Sequence, residues 1–342
     1  MADITTNFIV LDLEWNGHPD GKTGQLEAMP FEIIQIGAVK LSSALEVLDR
    51  FSSYIRPQVY PKLHYKTKEL LGITYKDLKD AKTFPEVIDA FFAWCGSGYR
   101  FCTWGSMDLT EIQRNLSYYG IVRYFSKPVL YYNLQQVHMA AYKEPAPRTL
   151  EYAVRQLAIP ETRPFHDALD DALYTAEVFR RLDPDFVLKH YSIDYYRHPL
   201  TKAEEVYLTY EDSSEFISRE YPSRDELLRS KNIITLTCPV CGAHLNREVR
   251  WFSGNVKNYY CLGCCRQHGY IQGKLHIKRT PEAHYFAVKT SRLIDAAEAH
   301  ELTLRYEQFS SKKPQNAPHP ASLFQKAAGQ KQASAVRKKG RT

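Results

Sequence analysis

Hydrophobic and polar residues alternate along the first fifty positions. NFIVLDLEW, FEIIQIGAVKL and EVLDRFSSYIRP each read as a strand, and the turn-forming HPDGKTG separates the first two. Three strands in succession predict an antiparallel meander. The period then lengthens: KTKELLGI and TFPEVIDAFFAWCG are helical patterns, the second with Thr83 as its cap and Gly96 as its stop. YRFCTW is a short apolar strand, DLTEIQRNLSYYG an amphipathic helix ending at Gly120, and VLYYNLQQVHMAAY and RTLEYAVRQLAI continue the alternation. HDALDDALYTAEVFRRL closes the region as a helix. Strands first, then strand and helix in turn, predict an α/β fold with helices packed on a mixed sheet.

Beyond residue 185 the pattern loses its period, and residues 186–230 are expected to be a linker or helical connector. Residues 231–280 read as short strands around cysteine turns, the pattern of a small β zinc ribbon, within a zinc-ribbon-containing domain expected over residues 231–310. From Ser311 onward there are eight Lys and Arg and no acid, so residues 311–342 are expected to be a disordered basic tail. The net charge of +6 comes from that tail, since the first 310 residues carry 37 basic against 39 acidic groups. A polyanion is its natural partner, and a purely solubilising tail is the alternative.

At 342 residues, with 44% hydrophobic and 25% charged residues, the chain has the composition of a soluble globular protein of one large or two ordinary domains. MADITTNFIVLDLEW has no basic n-region or signal-length apolar run, and no segment has the length and apolarity of a membrane span. A cytoplasmic protein is therefore expected, with no membrane partner. Seven cysteines, four of them in CxxC pairs, suit a reducing compartment and a metal better than a disulfide framework.

The acids carry the chemistry. Asp12 and Glu14, two apart on a strand, share a face, with Leu11 and Leu13 on the other. Two carboxylates there are costly unless hydrated or paired with cations. Asp108 follows a strand and opens a helix, where a capping role is equally common. In PFHDALDDA, Asp167 can cap the last helix and Asp170 sits in its first turn, leaving Asp171 inside the helix and His166 on the incoming loop. An imidazole, with an unperturbed pKa of about 6.5, can take a proton from water near working pH.

Asp12-x-Glu14 on a first strand, Asp108 after WGS, and His166 five residues before Asp171 resemble the three motifs of the DEDDh group of 3′–5′ exonucleases. The resemblance covers roughly residues 7 to 183 and takes in FEIIQIGAV, YIRP, ELLGIT and TWGSMD, which are most similar to the branch of sporulation-inhibitor and histone-mRNA-type exonucleases. It implies a ribonuclease-H-like sheet. It also implies two Mg²⁺ or Mn²⁺ ions held by Asp12, Glu14, Asp108 and Asp171, with His166 as general base. The expected activity is metal-dependent hydrolysis of single-stranded RNA or DNA from the 3′ end to 5′-mononucleotides, with RNA ahead of DNA as partner. An adaptor with a vestigial nuclease fold and a proofreading subunit for a DNA polymerase are the alternatives. Trp15, Glu32 and Trp104 lie beside the motifs as candidate nucleotide contacts, with core packing the competing role for the tryptophans.

Cys238, Cys241, Cys261 and Cys264 form a CxxC-x19-CxxC pattern, the spacing of a structural zinc site, with Cys265 as a rival for the fourth ligand. A redox dithiol is the other chemistry open to such pairs. Arg247, Arg250, Trp251 and Tyr259, with Phe252, Lys257 and Tyr260, interleave charge and aromatic rings around it. They could grip nucleic acid or form the ribbon's own core, and a protein partner for the ribbon or the tail stays open.

Overall fold

The computed structural model describes residues 7–253, 255 and 257–311. The chain divides into two compact units after Arg197.

In the first unit the opening strands are β1 (Asn7–Asn16), β2 (Glu32–Leu41) and β3 (Val47–Tyr54). They pair antiparallel as the alternation predicts. Three helices follow, α1 (Tyr65–Leu71), α2 (Tyr75–Leu78) and α3 (Phe84–Cys95). Thr83 and Glu86 close a capping box at the start of α3, and Gly96 adopts the positive φ at its end. Then come β4 (Tyr99–Thr103), α4 (Met107–Tyr118), β5 (Val129–Asn133), α5 (Leu134–Ala141), α6 (Leu150–Gln156), α7 (Ala168–Phe179), α8 (Pro184–Lys189) and β6 (Ser192–Asp194). The sheet order is β3-β2-β1-β4-β5-β6, with β1, β4 and β5 parallel.

The alternation of β1 sorts the core onto two sides. Phe8 and Val10 join α5 to α8 in one apolar cluster, and Ile9, Leu11 and Leu13 join α3 and α4 in another. Asp12 and Glu14 continue the Phe8 and Val10 side, so both carboxylates emerge where α7 covers the sheet.

The second unit contains β7 (Val206–Thr209), β8 (Ser213–Ile217), α9 (Arg224–Arg229), α10 (Lys231–Ile234), β9 (Arg247–Ser253), β10 (Asn258–Cys265), β11 (Gly269–Arg279), β12 (Tyr285–Ile294) and α11 (Ala296–Ser311). Six antiparallel strands form one sheet in the order β7-β8-β12-β11-β10-β9. A second sheet with a cysteine cluster at its turns fits a zinc ribbon, and it is built from more chain than the sequence pattern assigns to it.

Residues 186–230 are not a linker. Within them, β6 completes the first sheet against β5, while β7 and β8 extend the second by pairing with each other and with β12. Strands of three to five residues carry little pattern of their own, and their order comes from partners distant in the chain. The tail expected over residues 311–342 lies outside the described residues, apart from Ser311 at the end of α11. No helix among the described residues is long and apolar enough to cross a membrane.

Candidate active site and cysteine cluster

The C-terminal half of β1, the start of α4 and the start of α7 converge. Ligand atoms of Glu14, His166 and Asp171 lie within 4.8 Å of one another. Asp12 and Asp108 act on the same group: burial raises Asp12 well above the usual carboxylate range, reinforced by Asp108, Asp171 and Glu14. Burial is also the main cause that pushes Glu14 up to about 8, and Asp108 and Asp171 up to about 7. Only backbone N–H groups pull the other way, those of Leu13 and Asp108 on Asp108 and that of His166 on Asp171. Glu14, His166 and Asp171 therefore converge, and Asp12 and Asp108 stand near enough to oppose ionisation within that group.

Asp171 is buried and its Oδ1 has no hydrogen-bond partner among the described residues. Its Oδ2 accepts from the backbone N–H of His166 at 3.2 Å. A buried carboxylate oxygen without a donor is costly, and a crowd of acids more so, unless a cation belongs among them. Hard oxygen donors in this number suit Mg²⁺ or Mn²⁺.

The start of α7 is fixed by residues that the motifs alone do not reveal. Asp167 caps it, accepting from Leu169 N at 3.0 Å and Asp170 N at 3.2 Å, while Asp170 faces Arg163 Nε at 3.6 Å. Both acids shape the helix start, as their positions predict. Gln35 on β2 stands opposite Glu14 and holds the cap itself, donating to Asp167 Oδ2 at 2.8 Å and accepting from Ala168 N at 3.4 Å. Gly37 stands opposite Asp12, and a Cβ there would lie 2.0 Å from the Ala168 carbonyl carbon. The helix thus rests on bare backbone, which places Asp171 beside β1. His166 takes the left-handed conformation with φ of 68°, and its Nε2 lies 3.6 Å from Glu151 Oε1 on α6.

Past Glu14 the ladder between β1 and β2 slips by one residue, so Trp15 pairs with Ile33 and skips Ile34. On either side of the slip, Glu14 and Trp15 help to line a cavity of about 530 Å³ with His18, Lys22, His64 and Leu70. Glu32 turns inward, to a neighbouring loop. It is buried and accepts the backbone N–H groups of Gln58, Val59 and Tyr60 at 2.6, 2.9 and 2.7 Å, which turns a candidate contact into the anchor of a loop. Trp104 donates to Arg148 O at 3.2 Å and packs against the core, the competing role foreseen for it.

The described part of the second unit brings together a different set of potential ligands from the two CxxC pairs, one that includes Cys265, the rival for the fourth position. Cys261 and Cys264 lie on β10, where residues three apart face opposite sides. Cys261 is buried against Trp251 and Leu275, and Cys264 is exposed. Cys265 instead ends the strand, and with His268 of the following turn it meets Cys238 and Cys241. The four ligand atoms lie within 4.8 Å of one another. Of the surrounding basic and aromatic residues, Trp251 and Tyr259 are core: Trp251 Nε1 and Arg247 both donate to Ile234 O, at 2.8 and 2.9 Å, and the Tyr259 hydroxyl meets the Arg224 guanidinium. Arg250 alone of the four principal candidates is exposed. A six-stranded sheet needs an interior, and the rings that might stack on bases supply it.

Residues 9–179, half of the chain, match the family model described as Exonuclease. The chain belongs to that family. The probable 3′-5′ exonuclease KapD of Bacillus subtilis is 30% identical over 182 residues, covering 53% of this chain and 86% of that protein. The 3′-5′ exoribonuclease 1 of Rattus norvegicus is 28% identical over 163 residues, covering 45% and 47%. A solved nuclease domain of 3′hExo, a DEDDh family member bound to rAMP, is 23% identical over 57% of this chain and 98% of its own, with a TM-score of 0.48. The first unit of this exonuclease is of the 3′–5′ type and hydrolyses phosphodiester bonds in nucleic acid.

Proposed function

We propose that this exonuclease shortens single-stranded RNA from the 3′ end and releases 5′-mononucleotides, with Asp12, Glu14, Asp108 and Asp171 holding two Mg²⁺ or Mn²⁺ ions and His166 acting as general base. The observation that carries the reading is the convergence of Glu14, His166 and Asp171, with an orphaned buried Asp171 oxygen among acids whose ionisation burial opposes. RNA is favoured as substrate because a relative is named an exoribonuclease. Mg²⁺ or Mn²⁺ held by these four carboxylates would supply the positive charge that phosphodiester displacement requires. His166 accepts the proton of the attacking water. Glu151, beside its ring, orients the imidazole and stabilises it once protonated. Asp171 steadies the same loop through the His166 N–H.

Incubation with 5′-labelled RNA and DNA oligonucleotides in Mg²⁺ or Mn²⁺ tests the substrate and the direction together. A ladder shortening from the 3′ end on RNA, absent in the Asp12→Ala variant and without divalent ions, is expected. A ladder on DNA alone overturns the RNA assignment. Binding of either polymer with no metal-dependent cleavage favours an adaptor.

His166→Ala separates the base from the metal site. Turnover is expected to fall by about 10² to 10⁴-fold, with Mn²⁺ binding retained and activity still climbing at alkaline pH where the parent levels off. A variant with parental turnover and an unchanged pH profile excludes His166 as base.

A further inference from the structure

We infer that Cys238, Cys241, Cys265 and His268 form a closed structural Zn²⁺ site in which Cys261 and Cys264 take no part. The geometry supports this on three independent counts.

The first is size. A tetrahedral zinc site with bonds of about 2.3 Å to sulfur and about 2.0 Å to nitrogen has sulfur–sulfur edges of roughly 3.8 Å and sulfur–nitrogen edges of roughly 3.5 Å. Cys241 Sγ and Cys265 Sγ stand 3.7 Å apart. His268 Nδ1 stands 3.5 Å from Cys238 Sγ and 3.5 Å from Cys265 Sγ. These separations fit the edges of that tetrahedron, and they are far longer than a disulfide bond of about 2.0 Å.

The second is the backbone. Each ligand pair occupies a tight turn: Gly242 N donates to Cys238 O at 2.9 Å with Gly242 at φ of 71°, and Cys238 N donates to Ala243 O at 2.9 Å. Across from it, β10 and β11 pair Cys265 with Gly269, which has φ of 84° and follows His268 directly. Two glycine turns present their ligands to one point, in the pattern CxxC followed by CxxH.

The third is exclusion. Alternation along β10 turns Cys264 to the side opposite Cys261 and Cys265, while Cys261 lies deeper in the sheet, under Gly273, where an added Cβ would meet its Sγ at 2.5 Å. Its Sγ packs against Gly273 and is not among the four ligand atoms that converge. Three thiolates and one imidazole fill all four positions, leaving none open for substrate, which is the arrangement of a structural rather than a catalytic zinc. The ion would tie the turn before β9 to the β10–β11 turn.

The test uses the full chain purified without chelator. One zinc per chain is expected by elemental analysis, and replacement with Co²⁺ should give tetrahedral d–d bands with a sulfur-to-cobalt charge-transfer band of three-thiolate intensity. That band reports thiolates only, so the result is independent of ions at the carboxylates of the nuclease site. Cys261→Ala and Cys264→Ser should keep the full band. Cys265→Ser should lose at least one third of it, and His268→Cys should keep the metal and raise the intensity by about one third, to the four-thiolate level set by tetrahedral coordination. A parent protein without metal, a four-thiolate spectrum in the parent, or a band lost in Cys264→Ser but kept in Cys265→Ser would each overturn the assignment. The parent spectrum decides even if a variant fails to fold.

Discussion

Asp171→Asn is expected to cut exonuclease turnover about a thousandfold, or roughly 4 kcal/mol of transition-state stabilisation, and yet to raise the melting temperature in buffer free of Mg²⁺ and Mn²⁺. The two effects share one cause. The Asp171 carboxyl is buried beside other acids and is held up at about 7 in the folded protein, against about 3.9 in an unfolded chain. Between those values the folded state binds more protons than the unfolded one, so stability falls as pH climbs from about 4 to about 7 and stays reduced above. Asparagine removes that charge. Calorimetry on parent and variant at pH 5 and pH 8 should show a gain that is larger at pH 8, and about 2 to 4 °C accompanies each kcal/mol relieved in a domain of this size. Mn²⁺ should then stabilise the parent at pH 8 more than the variant. A variant that is less stable than the parent at both pH values, and by the same amount, would show that Asp171 serves packing and not a cation site.

Gly37→Ala is expected to damage the enzyme from outside the motif. The new methyl would sit 2.0 Å from Ala168 C and 2.1 Å from Leu169 N. Backbone atoms cannot swing aside as a side chain can, so the first turn of α7 must lift from β2. Overpacking of this kind costs about 1 to 3 kcal/mol. Asp167, Asp171 and the His166 loop move with the helix, and a displacement of about 1 Å at a reacting centre can cost about a hundredfold in rate. Measured well below the melting temperature, turnover should drop by about that factor, with weaker Mn²⁺ binding. Gln35→Ala should act in the same direction through the lost grip on Asp167 and Ala168. If Gly37→Ala lowers stability while leaving turnover and Mn²⁺ affinity at parental values, the close approach does not position the site.

These two cases mark where the sequence is readable. The alternation of β1, the Thr83 capping box and the Asp167 cap are local, and each structural outcome follows from residues a few positions apart. The spaced acids were legible for the same reason, since a strand and a helix start dictate how neighbouring side chains face. Gln35 and Gly37 act on a helix more than a hundred residues away, and nothing near them in the chain announces the approach. Glu32 shows the converse error: a carboxylate beside a motif invites a substrate role, but three backbone donors from a later loop claim it. Secondary structure also separates the cysteines, and it brings Cys265, the rival for the fourth position, to Cys238 and Cys241. Read as a turn, Cys261 and Cys264 are natural ligands; paired with β11 along their length, they are strand residues that diverge, and the true turn begins at Cys265.

The slip in the ladder after Glu14 divides β1 into two independently set parts. From Phe8 to Glu14 the pairing with β2 is unbroken, so the facing of Asp12 and Glu14 is inherited from the whole apolar run that precedes them. An insertion within that run would turn both acids into the core. Beyond Ile34, Asn16 is held by Tyr60 O, Lys62 O and His64 N, and Glu32 by the same loop. That outer portion therefore takes its geometry from the loop over residues 58–64, of which His64 also lines the cavity. A substitution in that outer portion meets a different set of constraints from one in the apolar run, even though Glu14 stands at the boundary of both.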